Sequence, residues 1–166
     1  MARFNSRGKG SSFERKVAAM VATAFRVSKR DIYRTPLSGG HPFADKGDLT
    51  ISPELRKRFG FCVECKHNRT WTPECLFRLR AQERSWIEQV VKASLKGDAV
   101  PLLVMRGNRT QIYCAFRGHS LGKRQFLLAA RGIPHMYFHQ SWVMMRFDAF
   151  LKLVSEDESI PDMLAF

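Results

Sequence analysis

The sequence predicts an α/β fold, with a central mixed β-sheet flanked by helices. Two stretches, Phe13–Ala24 and Glu83–Lys96, carry apolar residues at helical spacing. Short apolar runs bounded by glycine or proline lie between and after them, as strands do. The order reads helix, three strands, helix, strand, strand.

The chain divides into a flexible basic arm (1–10), a single domain (11–154) and an acidic tail (155–166). Ser11 and Glu14 have capping-box spacing at the head of the first helix. Phe13, Val17, Met20, Val21 and Ala24 then give it one buried face, and it should end near Ser28. Strands are expected at Asp31–Thr35, Gly47–Ile51 and Phe59–Lys66, the last two joined by a basic turn holding Arg56, Lys57 and Arg58. Pro36 to Gly40 forms the loop after the first strand. Thr72-Pro73-Glu74 starts a further helix.

In the second half, Val100–Met105 is a continuous apolar run, as suits a strand covered on both faces. Gln111–Phe116 pairs with it through a Gly107-Asn108 turn. A helix is expected near Lys123–Ala130 and strands at His135–Phe138 and Trp142–Arg146. Asp148 caps a last helix, Ala149–Val154.

Charge narrows the function. Twenty-eight Lys and Arg stand against 15 Asp and Glu, a net +13, which favours a polyanionic partner. The excess gathers at the front: residues 1–34 hold nine bases and two acids, whereas the last twelve residues hold four acids and no base. No apolar run approaches the ~20 residues of a membrane span. The basic N-terminus has no apolar stretch behind it and does not read as a secretory signal. The protein is therefore expected in the cytoplasm, with its four cysteines reduced.

The candidate site is Glu64-Cys65-Lys66. Strand alternation puts Cys62, Glu64 and Lys66 on one face and Phe61, Val63, Cys65 and His67 on the other. Asp48 begins the neighbouring strand and could lie beside Glu64. Those two carboxylates and the Cys65 carbonyl make an all-oxygen set suited to Mg²⁺, with Mn²⁺ able to substitute. Glu14 could join through water. Lys66 would orient a water or stabilise charge on phosphate. Each piece has an ordinary reading too: a surface pair on a strand, a capping residue, a turn acid. The weight lies in their combination in a chain this basic. Cys62-x-x-Cys65 with His67 and Cys75 mimics zinc spacing, but alternation sends the two cysteines to opposite faces.

On these residues the chain resembles the PD-(D/E)xK nuclease superfamily, and within it the archaeal-type and viral Holliday junction resolvases. The likeness covers about residues 7–105. Its pieces are Arg7-Gly8-Lys9-Gly10 before Phe13-Glu14-Arg15, the loop Tyr33-Arg34-Thr35-Pro36-Leu37-Ser38-Gly39-Gly40, Gly47-Asp48-Leu49-Thr50, and Val63-Glu64-Cys65-Lys66. The resemblance implies a restriction-endonuclease-like core. It implies that Glu14, Asp48, Glu64 and Lys66 are the catalytic set of a Mg²⁺-dependent endodeoxyribonuclease. It also implies a homodimer making paired cuts in a four-way junction, as in recombination and repair. Arg15, Arg34 and Ser38 would touch phosphate. Glycine stands before Asp48 where the family has proline, and Asp45 is a rival to it; the apolar strand directly after Asp48 favours Asp48. Some branches use a glutamine where Gln89 lies.

DNA contacts are expected from Arg3, Arg7, Lys9, Ser11, Arg15, Lys16 and Arg34, with a helix N-terminus near Ser11–Ser12 as a phosphate seat. Trp142 to Phe150 is dense in apolar residues and could be core or interface, core being preferred. The tail ends Asp162-Met163-Leu164-Ala165-Phe166, similar to peptides that dock in a sliding-clamp groove. Two other readings stay open: a nicking, restriction-like or exonucleolytic member of the superfamily, and a DNA-binding module without catalysis.

Overall fold

The computed structural model describes residues 6–36, 47–97, 99–117, 132–139 and 142–156, with residues 6–9 described as backbone only. Five helices and seven strands lie within them: α1 Ser6–Phe25, β1 Ile32–Arg34, β2 Leu49–Ile51, α2 Pro53–Arg58, β3 Phe61–His67, α3 Glu74–Arg78, α4 Ala81–Gly97, β4 Val100–Arg106, β5 Tyr113–Arg117, β6 His135–Phe138, β7 Trp142–Arg146 and α5 Phe147–Glu156.

The main sheet runs β3-β4-β5-β7-β6, and β1 and β2 form a separate antiparallel pair. β3 and β4 are parallel, joined over the sheet by α3 and α4, and β4, β5, β7 and β6 are antiparallel to their neighbours. This is the mixed sheet between helices that the patterning predicts. β4 is an interior strand, and six of its seven residues are buried.

The two sheet faces carry different cores. On one, Phe13, Val17, Val21 and Phe25 of α1 and Phe150 and Leu151 of α5 pack with Phe61, Val63 and Cys65 of β3. Phe59 and Phe61 are in ring contact at 5.1 Å, and Phe61 meets Phe150 edge-on at 5.2 Å. On the other, Ile87 and Val90 of α4 meet Leu103, Met105 and Met144. Phe61, Val63 and Cys65 thus face α1, as β alternation requires.

Several sequence expectations change. The first helix starts at Ser6, so Ser11 is not its cap and the Ser11–Glu14 capping box does not form; residues 6–10 are helical rather than a loose arm. The phosphate seat expected at Ser11–Ser12 is therefore not a helix end. The helix stops at Phe25 rather than Ser28, because Arg26 adopts a left-handed φ of 54° and the Val27 N–H bonds the Ala22 carbonyl, a Schellman closure. The turn between β2 and β3 is the short helix α2: Ser52 caps it by accepting from the Leu55 N–H, and Pro53 opens it. Asp148 lies inside α5 rather than capping it, and there it binds Arg146 and the Ala149 N–H. Trp142, Val143, Met144, Met145, Phe147 and Phe150 are all core. The helix expected at Lys123–Ala130 and the tail beyond Glu156 fall outside the described residues. No helix among them is long and apolar enough to cross a membrane.

Candidate active site

Gly47 sets Asp48 against β3. It holds a left-handed φ of +77°, and a Cβ there would stand 2.4 Å from the Val63 carbonyl oxygen, so no side chain fits. The close approach lets the Asp48 N–H donate to that carbonyl at 2.8 Å. Asp48 Oδ2 then accepts from the Cys65 N–H at 2.8 Å. Asp48 is in this way fastened to β3 through both its backbone N–H and its carboxylate. The glycine that departs from the superfamily's proline has a steric cause.

Glu64 is 3% exposed, and both Lys66 and Gln89 hold the same oxygen. Lys66 Nζ donates to Glu64 Oε1 at 2.7 Å, and Gln89 Nε2 donates to it at 2.6 Å. Lys66 Nζ also donates to Gln89 Oε1 at 2.8 Å, which closes a three-membered ring of bonds between β3 and α4. Among the described residues, Glu64 Oε2 and Asp48 Oδ1 carry no hydrogen bond. Each carboxylate has one oxygen fixed by protein donors and one left over.

Glu14 reaches the site from α1, and Arg34 Nε of β1 donates to its Oε2. The arginine assigned to phosphate from sequence thus also neutralises an acid of the site. The charge of Glu14 is felt at both Asp48 and Glu64.

The electrostatics are those of crowded acids. Burial first, then the Glu64 charge, pushes the Asp48 carboxyl up to about 7 from an ordinary 3.8, against the Cys65 N–H and Lys66. Burial also raises Glu64, opposed by the charge and hydrogen bond of Lys66. Cys62 is pushed up to about 12 by burial and then by Glu64, and burial raises Cys65 well above the ordinary thiol value too, so both thiols stay protonated.

The structure brings Glu14, Asp48, Glu64, Lys66 and Gln89 together. It leaves Arg15 exposed on α1, with Nη2 3.4 Å from Ser11 Oγ. The side chains of Arg7 and Lys9, and all of Arg3, Ser38 and Asp45, lie outside the described residues. Sequence reading did not see the Arg34–Glu14 pair or the steric need for Gly47. A glycine directly before a site acid was the one available signal for the latter.

No three His, Cys, Asp or Glu side chains among the described residues form a ready-made metal cluster. The donor set nonetheless fits a hard divalent cation. Two buried carboxylates repel each other, and each keeps a spare oxygen; oxygen ligands and uncompensated negative charge are what such a cation takes.

An acid at the start of one strand, an acid-x-lysine on the next, and a helix behind the lysine define a PD-(D/E)xK nuclease with a restriction-endonuclease-like core. The chain matches, over residues 5–158, the model of the family described as "Phage putative PDDEXK endonuclease", and it belongs to that family. No curated protein and no solved structure matches it.

Proposed function

We propose that the protein is a divalent-cation-dependent, structure-specific endodeoxyribonuclease acting inside the cell. One observation carries the reading: two buried carboxylates, Asp48 and Glu64, whose charges oppose each other, with Lys66 locked to Glu64 at 2.7 Å. Acids this crowded destabilise a fold and are kept where their charge is used.

Asp48, Glu64 and the Cys65 carbonyl would hold Mg²⁺, with Mn²⁺ as a substitute, and Glu14 would assist through water. When bound, the ion supplies charge for the scissile phosphate and acidifies a coordinated water. The chain's own groups do the rest. Lys66 Nζ, steadied by Glu64 and Gln89, has a proton to direct at the attacking water or at a phosphate oxygen. Arg15 and Arg34 neutralise flanking phosphates. Hydrolysis adds the water oxygen to phosphorus and breaks the P–O bond to the leaving sugar oxygen, which takes up a proton.

For substrate we propose a four-way DNA junction, cut in pairs by a homodimer. The support is the likeness of the Glu14-Arg15 and Arg34–Gly40 motifs to junction resolvases. Since Trp142–Phe150 is core, the dimer contact must use other surfaces.

Cleavage of a labelled junction, linear duplex and single strand, with Mg²⁺ and with EDTA, tests this reading. Paired symmetric cuts in the junction alone, needing Mg²⁺ and Lys66, are expected. Equal cutting of linear duplex would overturn the junction assignment. No cutting of any substrate by the wild type would overturn the catalytic one.

A further inference from the structure

At the carboxyl end of the parallel β3–β4 pair, on the α1 face, lies a pocket separate from the carboxylates. It has a volume of about 170 Å³ and is lined by Lys16 and Met20 of α1, Arg106 at the end of β4, Thr110 and Gln111 of the following loop, and Asp148 of α5. Two cations enter it from different elements. Arg106 Nε is buried and has no hydrogen-bond partner among the described residues. A buried guanidinium N–H without an acceptor leaves the Arg106 charge unanswered by the protein, and an anion entering the pocket that Arg106 lines would meet that charge. The acid in the wall does not supply it. Asp148 Oδ1 already accepts from Arg146 Nε at 3.1 Å and from the Ala149 N–H at 2.9 Å, and Oδ2 accepts from Arg146 Nη2. Its charge is therefore met by Arg146, and the pocket stays positive.

Position relates the pocket to the candidate site. Arg106 is the register partner of His67, the residue after Lys66. Lys16 follows Glu14 by two residues on α1. The two sites thus share one end of the sheet: Glu14 and Lys16 lie on α1, Glu64 on β3 and Arg106 on the adjacent β4, with Glu64 and Lys66 turned to α4 and the pocket on the α1 face.

We propose that this pocket is a second phosphate-binding site, taking a backbone phosphodiester of the DNA whose neighbouring segment reaches the carboxylates. Lys16 and Arg106 supply charge; Gln111 and Thr110 supply neutral donors. The volume suits a phosphate group with its waters, since one water occupies about 30 Å³. The inference rests on the reading that the chain binds DNA.

The test is equilibrium binding of the full chain to labelled duplex DNA in EDTA, across a salt series, for wild type, Lys16→Ala, Arg106→Gln and Gln111→Glu. Each substitution should weaken binding roughly 3–10-fold, and Lys16→Ala and Arg106→Gln should flatten the salt slope, by no more than about 0.9 between them for the one phosphate they share. Gln111 is exposed, so its charge-adding variant keeps the proposal testable if Arg106→Gln does not fold. Unchanged affinity in Lys16→Ala and Gln111→Glu overturns the site, and so does a wild type that binds no DNA. A second arm compares thermal unfolding in inorganic phosphate and in chloride at equal ionic strength. Stabilisation by phosphate that Gln111→Glu abolishes, with DNA affinity unmoved, would assign the pocket to free phosphate and overturn the strand assignment. Weakened DNA binding in the variants of a protein that cuts nothing would leave the pocket standing and remove the nuclease mechanism alone.

Discussion

Gln89 and Lys66 grip the same oxygen of Glu64: Nε2 donates to Oε1 at 2.6 Å and Nζ donates to it at 2.7 Å. The amide oxygen of Gln89 closes the ring by accepting from Nζ at 2.8 Å. A lysine ammonium is a mobile point charge on four rotatable bonds. Here two acceptors aim it. Loss of the lysine removes the cation; loss of the glutamine removes only its aim. Lys66→Ala should therefore lower single-turnover cleavage by about 10²–10³-fold or more, and Gln89→Ala by about 10–100-fold. Rates measured at saturating DNA and Mg²⁺ check both. A Gln89→Ala enzyme as fast as wild type would mean that Lys66 needs no positioning.

The raised Asp48 carboxyl makes stability depend on pH. An acid whose folded pKa exceeds its unfolded value binds more protons when folded, so stability falls as pH rises between the two. For Asp48 that window runs from 3.8 to about 7, and Glu64 shifts in the same direction. The stabilisation is complete below the lower value and lost above the upper one. Asp48→Asn keeps an oxygen for the Cys65 N–H and removes the charge. Its Tm in EDTA should exceed that of wild type by roughly 3–8 °C at pH 8, and by a smaller margin at pH 5, inside the window. Mg²⁺ at pH 8 should raise the wild-type Tm more than that of Asp48→Asn. Calorimetry at both pH values decides it. A variant less stable than wild type at pH 8 would show that the repulsion is already relieved in the free protein.

What was legible in the sequence followed from periodicity. Period two along Phe61–His67 separated Glu64 and Lys66 from the residues facing α1, and the apolar run Val100–Met105 announced a strand covered on both faces. What was hidden depends on contacts distant in sequence. α2 buries only Leu55, too little apolar content to show a helical period. Composition could not decide between core and interface for Trp142–Phe150, since both want the same side chains. Gly8 and Gly10 argue locally against helix, yet α1 runs through them. The Arg34–Glu14 pair joins residues twenty apart in sequence and left no pattern to read.

Gly47 should tolerate no side chain. Alanine would combine an unfavourable φ of +77° with a Cβ 2.4 Å from the Val63 carbonyl oxygen, a backbone atom that no side-chain rotation can move aside. Relief requires pulling β2 away from β3, which breaks the bonds that seat Asp48. Gly47→Ala should cost about 2 kcal/mol or more and should reduce cleavage even at temperatures where the variant is folded. Urea unfolding beside single-turnover kinetics separates the two losses. Normal kinetics in a destabilised variant would show that Asp48 keeps its seat without the close approach.

Arg34 and Glu14 give the last prediction, because the pair mixes structure with chemistry. Glu14 is 9% exposed, and Arg34 is its hydrogen-bonding cation. Removing the arginine alone strands a buried carboxylate beside two others, which should destabilise the protein by roughly 1–3 kcal/mol. Glu14→Gln alone removes one of three crowded negative charges and should cost less. The double variant, Glu14→Gln with Arg34→Ala, should recover part of the loss from Arg34→Ala, because the stranded charge is gone. Chemical denaturation of all four proteins completes the cycle. The same four proteins separate the roles of Arg34. If it serves only to neutralise Glu14, the double variant binds DNA as tightly as Glu14→Gln does. If Arg34 also meets phosphate, DNA affinity stays low in the double variant although stability returns. Destabilisation that persists undiminished in the double variant would mean that Arg34 supports the fold through contacts other than Glu14.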